Sequence, residues 1–332
     1  MLTHIDKEIF INAYQIFKED VLENSRDFLD FLKSESDIKV YGKPDLELNN
    51  ILSGFLAGRG DAKIVVHPNR FNKEEVNRSN PYQLVFIDVE DEIQREQFKN
   101  EIHYLIGFKD NYETVFEEFK SEPYYEVDKD GDSDPNSSVE IFKSWEQILP
   151  DLPITDIIIS DPYIIWGDYK YPLKENLFKL LSAIKSKYKV INSLLIYTTV
   201  EKISELSKIR EEAMKILGQK TIVGTVLFQG KGEHDRHIFT NYKHINLGSS
   251  AKYFDGEGNI ALDKTSSIRT FSYHQKKEQQ IASKKLVDLN KTLKGLQSEG
   301  KIPAIVKSRL LDYEEKINLS PSASKIHSNT QD

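Results

Sequence analysis

The chain has 332 residues, 30% of them charged and 39% hydrophobic, with a formal net charge of -8. That length suits about two domains of roughly 150 residues. The acidic balance excludes a global electrostatic pull on nucleic acid or anionic lipid, so any such partner must meet a local basic patch. Cysteine is absent, which rules out disulfides, thiolate catalysis and cysteine-based metal centres and fits a reducing cytoplasm. No apolar run approaches the ~20 residues needed to span a bilayer. Asp6, Glu8 and Asp20 among the first apolar residues argue against a secretory signal there.

Residues 4–33 carry Ile9, Ala13, Ile16, Phe17, Phe28 and Leu32 at helical spacing, with Asn24-Ser25 as an interruption or a second cap. A short strand follows at 38–41, then a helix at 46–56 that stops at Gly58. Arg59-Gly60-Asp61 matches an adhesion tripeptide but reads as a helix-to-strand turn. Runs 62–67 and 83–89 are β-rich, 91–104 is helical in pattern, and 105–108 is a further strand. Residues 1–122 thus form an N-terminal mixed α/β domain that carries no nameable motif.

Residues 123–150 read as an acidic linker. Asp128, Asp130, Asp132 and Asp134 alternate as in a calcium loop. That loop requires Gly at its sixth position and Glu at its twelfth, where this chain has Ser133 and Val139. From 151 to 262 the pattern becomes regular. A buried-type strand at 154–160 leads into Asp161-Pro162-Tyr163, where Asp161 reads as a turn starter or a strand-end acid. A helix at 173–184 and a strand at 190–198 follow, with Thr199 as N-cap of a helix that stops at Gly218. A β-branched run at 221–228 and two short strands, at 234–239 and 244–247, complete it. Strand–helix alternation ending in a hairpin predicts a mostly parallel sheet covered by helices. Residues 263–317 add a strand and a helical hairpin that packs back on its domain or serves as a dimerisation arm. The tail 318–332 is Ser-rich and reads as disordered.

The segment from Glu233 to Ser250 holds His234, His237 and His244, a grouping that first suggests zinc. In a strand, however, alternate residues share a face. His234 and Arg236 therefore point one way and His237 the other, and no metal is expected. With a tight turn near Asn241, the hairpin would present His234, Arg236, Asn241 and Ser249 to one place, and Gly248 would let backbone approach a ligand or a neighbouring strand. Such a set suits a phosphate oxyanion, or else it is an internal ion-pair and turn network that holds the hairpin. Lys220, Lys231, Arg236, Lys243 and Lys252 stand against Glu233 and Asp235 here, a local net of +3.

His234, Arg236, Asn241, Gly248 and Ser249 fall at the offsets of the phospholipase D pattern H-x-K-x4-D-x6-G-S, with Arg for Lys and Asn for Asp. The His-Asp-Arg opening and Tyr253-Phe254 make this stretch resemble the phospholipase-D-like domain that follows MIT modules. The resemblance spans residues 150–262. It implies an α/β/α domain with phosphate contacts from His234, Arg236, Asn241, Lys243, Gly248 and Ser249, without a cofactor. In active members the histidine attacks phosphorus, and a second copy of the motif supplies the acid. This chain has one copy, so a metal-independent phosphodiesterase or nuclease would need a homodimer, with His234, Arg236, Asn241 and Ser249 as catalytic groups. The MIT-linked branch instead implies a non-catalytic module for peripheral anionic membrane or protein binding. Prokaryotic relatives imply a defence or genome-conflict setting, with nucleic acid or nucleotide as ligand. The Arg and Asn replacements favour phosphate recognition over cleavage.

Overall fold

The computed structural model describes residues 1–18, 23–57, 63–128, 139–165, 172–199, 203–227, 236–248, 250–261 and 266–319. The chain divides into two compact units, Met1–Ser121 with Ser272–Gln279, and Glu122–Phe271 with Gln280–Asp332. Both are α/β. Among the described residues, no helix is long and apolar enough to cross a membrane.

The first unit begins with a strand, β1 (Leu2–Asp6), where the hydrophobic spacing predicts the start of a helix. Helical periodicity begins only at α1 (Lys7–Lys18), which is followed by α2 (Glu23–Ser34). The β-branched Thr3 and Ile5, and His4 between them, are buried between two parallel neighbours, and that pairing overrides the local pattern. Next come β2 (Asp37–Tyr41), α3 (Leu46–Leu56) and β3 (Ile64–His67). The remaining elements are β4 (Gln83–Ile87), α4 (Glu92–Ile102), β5 (Leu105–Phe108) and α5 (Tyr112–Lys120). Helix starts are capped by side chains: Asp45 accepts from the Leu48 amide at 2.9 Å and Asp91 from the Gln94 amide at 2.8 Å. The sheet order is β3-β2-β1-β4-β5, and every pairing is parallel. Phe28, Phe86 and Phe116 pack edge to face at 4.9 and 5.2 Å on one side of it.

The second unit is built on an eight-stranded sheet. Residues 123–150, expected as a linker, instead supply β6 (Tyr124–Val127), β7 (Glu140–Ile141) and α6 (Trp145–Ile148). Charge hid these elements from the sequence reading. The anchoring residues are few and aromatic: Phe142 and Trp145 are buried against Tyr253 and Phe254. The calcium-loop positions Asp130, Asp132, Ser133 and Asp134, like Arg59-Gly60-Asp61, lie outside the described residues.

Then follow β8 (Asp156–Ser160), a π-helical turn at Lys174–Phe178, α7 (Lys179–Lys187), β9 (Ser193–Thr198), α8 (Ile203–Leu217) and β10 (Ile222–Leu227). The Thr199 amide donates to the Pro162 carbonyl at 3.0 Å, and residues 200–202, where a cap by Thr199 would act, lie outside the described residues. The hairpin is β11 (His237–Thr240) and β12 (Lys243–Asn246). After β13 (Ser266–Ser272) come α9 (Lys276–Ser298) and α10 (Arg309–Leu319). The order is β10-β9-β8-β11-β12-β13-β6-β7. Strands β8 and β9 are parallel and buried along their whole length, hence their unbroken apolar runs. Strand β11 pairs antiparallel to β8, so the sheet is mixed.

The C-terminal helix is tied into this unit. Arg309 donates from Nε to Asp156 Oδ2 at 3.0 Å and from Nη2 to Thr155 Oγ1 at 2.7 Å. Asp156 is fully buried, and its Oδ1 accepts from Ser193 Oγ at 2.8 Å. The buried carboxylate is thus both paired and hydrogen-bonded, the condition under which a charge is tolerated inside.

Candidate functional site

Strand β11 runs antiparallel to β8 with His237 opposite Ser160 and Thr240 opposite Ile157. This register sets which residues of the hairpin can meet. Arg236, just before β11, lies at the carboxyl end of β8, beside Asp161. Asn241 lies at the opposite end, beside Thr155. Five residue steps along the strand separate them, roughly 16 Å.

At the Arg236 end a set of polar groups converges. Asp161 is fully buried. It accepts from the Ala251 amide at 2.7 Å, from Ser250 Oγ at 2.8 Å and from the Tyr163 amide at 2.9 Å. Burial raises its pKa above the ordinary carboxylate value, while these donors and the Arg236 charge act in the other direction. Arg236 donates from Nη1 to the Gly248 carbonyl at 2.9 Å, and its guanidinium carbon lies 5.2 Å from the centre of the Tyr163 ring. The buried Nε meets no hydrogen-bond acceptor among the described residues. The arrangement is a guanidinium over an aromatic ring, beside a loop pinned by a buried carboxylate.

Gly248 has φ of 63°, and a Cβ there would stand 2.4 Å from the Ser267 carbonyl oxygen. Its smallness therefore serves the close approach of the chain to β13. Its amide donates to Asn246 Oδ1 at 2.8 Å, which closes the turn after β12.

The other anticipated residues are placed elsewhere. Asn241 is fully buried and accepts from the Thr155 amide at 3.1 Å, with Nδ2 unpartnered. It fastens the hairpin turn to the start of β8 and does not join Arg236. Lys243 is also buried, next to that turn, where its amide donates to Thr240 Oγ1 at 3.0 Å. A surface phosphate contact from Lys243 is not compatible with this burial, and the basic patch loses one of its charges. His234 and Ser249 lie outside the described residues.

His237 and His244 occupy the opposite face from Arg236, as strand parity requires. Their rings are 5.8 Å apart and nearly perpendicular. His237 Nε2 lies 2.7 Å from Lys285 Nζ, and His244 stacks on Phe271 at 4.8 Å. Burial, with the charges of His237 and Lys285, lowers the His244 pKa to about 3. Among the described residues, no group of three or more His, Asp and Glu side chains is placed to hold a metal ion.

No family model and no curated protein match this chain.

Asp161, expected as a turn starter or a strand-end acid, takes a central place, and Ser250 has a role that no spacing indicates. The signal is an Asp-Pro step directly after the buried strand Asp156–Ser160, which stations a carboxylate at the carboxyl edge of the sheet. Its partners Ser250 and Ala251 are about ninety positions further along the chain.

Proposed function

We propose that the second unit recognises a phosphate or phosphodiester group, carried by a nucleic acid or nucleotide, in the manner of a phospholipase-D-like module. The observation that carries this reading is the Arg236 guanidinium, anchored by Nη1 on Gly248 and packed over Tyr163. A planar donor fork fixed in this way suits two oxygens of one phosphate. The Ser250–Ala251 backbone, braced by Asp161, provides the adjoining rim.

Binding of fluorescently labelled DNA and RNA oligonucleotides, followed by anisotropy, tests the proposal. Arg236→Ala should abolish saturable binding with an unchanged circular dichroism spectrum. Binding that survives Arg236→Ala would sink the reading, as would failure of the wild-type protein to bind any of these ligands or anionic vesicles. Cleavage that persists in EDTA and disappears in His234→Ala would instead establish the catalytic form of the same site, in a homodimer. The wider role in prokaryotic defence belongs to the same proposal and rests on the resemblance of the hairpin motif.

A further inference from the structure

The first unit has a second candidate site that the hairpin does not involve. In its sheet, β1 is central, with β2 and β3 on one side and β4 and β5 on the other. The winding of the chain therefore reverses between β1 and β4, and in open parallel sheets ligands settle outside the carboxyl ends of the strands at such a point. A cavity of about 320 Å³ lies there. Asp6 ends β1, Tyr41 ends β2 and Asp88 follows β4, and all three line it. Its volume is at the small end of the range for ligand pockets, about 300 to 1,000 Å³.

The charges around the cavity are unequally committed. Lys7 is paired with Asp45, and Asp88 lies 3.4 Å from Lys109. Lys43 and Arg70 are exposed on the rim, and among the described residues neither has a carboxylate within ion-pair distance. On the floor, the Asp6 carboxylate lines the cavity; its Oδ2 accepts from the Asp88 amide at 2.8 Å, and the Phe71 amide also donates to this carboxylate.

We propose that this cleft binds a phosphorylated sugar, a nucleotide in the first instance, with its phosphate on Arg70 and Lys43 and a sugar hydroxyl donating to the Asp6 carboxylate. The acidic floor and the basic rim impose one orientation. Asp6 and Asp88 repel the phosphate toward the rim, and only the neutral, hydroxyl-bearing part of the ligand can approach the floor. Burial raises the Asp6 pKa to about 6; the Asp88 and Phe71 amides oppose the rise, the Asp88 charge adds to it, and Arg70 draws it back. Asp6 is therefore largely an acceptor at neutral pH, the state the hydroxyl requires.

Isothermal titration of the full chain with a nucleoside 5′-monophosphate, ribose 5-phosphate, inorganic phosphate and the unphosphorylated nucleoside tests the proposal. Saturable binding of the phosphate esters is expected, at least tenfold tighter than inorganic phosphate or the nucleoside. A preference for the nucleoside monophosphate over ribose 5-phosphate identifies a nucleotide as the ligand, and equal affinity identifies a sugar phosphate. In an Arg236→Ala background, which removes the hairpin site, Arg70→Ala and Asp6→Asn should each weaken binding at least tenfold. Lys43→Ala, an exposed substitution, provides a second variant if Asp6→Asn fails to fold. The proposal is overturned if no phosphate ester binds at millimolar concentration, or if binding is lost in Arg236→Ala but retained in Arg70→Ala. Binding of magnesium or manganese alone, without any phosphate ester, would also overturn it.

Discussion

Replacing Asp6 with asparagine should stabilise this protein at neutral pH. Asp6 sits at the carboxyl end of a central strand, and burial lifts its pKa from 3.8 to about 6. The folded protein therefore binds the Asp6 proton more tightly than the unfolded chain does. Between those two values the folded state holds more protons, so its stability falls as pH rises, and above about 6 the loss is complete. A rise of this size amounts to about 3 kcal/mol against the ionised folded state at pH 7 and above. Asparagine keeps an oxygen for the Asp88 amide and carries no charge to desolvate. Urea unfolding of wild type and Asp6→Asn should show the variant more stable by up to about 3 kcal/mol near pH 7.5 and by about half that near pH 5. Other titrating groups are common to both proteins and cancel in the difference. A variant no more stable than wild type at neutral pH would refute the reasoning, and so would a gain that does not shrink on acidification. A gain in stability joined to a loss of phosphate-ester binding would mark Asp6 as a residue retained for function at the expense of the fold.

Further outcomes follow from the second unit. Arg309→Ala leaves Asp156 buried without its cation and should lower the unfolding free energy by roughly 3–5 kcal/mol in urea titrations. Asn241→Ala removes the acceptor of the buried Thr155 amide and should destabilise by about 1–3 kcal/mol while phosphate affinity stays at the wild-type value. Reduced affinity with full stability in that variant would place Asn241 in the site after all. His244 has its folded pKa lowered to about 3, so its contribution to stability is present above about 6.5 and is lost as pH falls toward that value. The stability of His244→Phe relative to wild type should therefore improve steadily as pH is lowered from about 6.5, by up to ~1.4 kcal/mol per pH unit.

How far the sequence could be read depended on whether a feature was local. Helix 46–56 and strand 105–108 were legible because their hydrophobic periods and flanking turn residues are contained in each segment. β1 was not, because five residues of strand merge without a break into the helical spacing of α1, and only pairing with β2 and β4 separates them. Within the motif, the positions of Arg236 and Gly248 could be read from spacing, and parity placed His237 on the other face. Spacing could not show that Asn241 is fastened to Thr155 at the far end of the hairpin, or that Lys243 is buried. Those facts follow from the register of β11 against β8, a pairing between segments about eighty residues apart.

The sequence by itself determined the α/β class, the hairpin and the phosphate-suited residue types in it, since composition, period and parity are properties of short stretches. The tertiary structure alone decided which charges keep company. It set Asp161 under Ser250 and Ala251, drew Arg236 over Tyr163, and left Asp6, Lys43 and Arg70 around one cleft at the reversal of the parallel sheet. Burial and long-range hydrogen bonds create these groupings, and neither has a period along the chain.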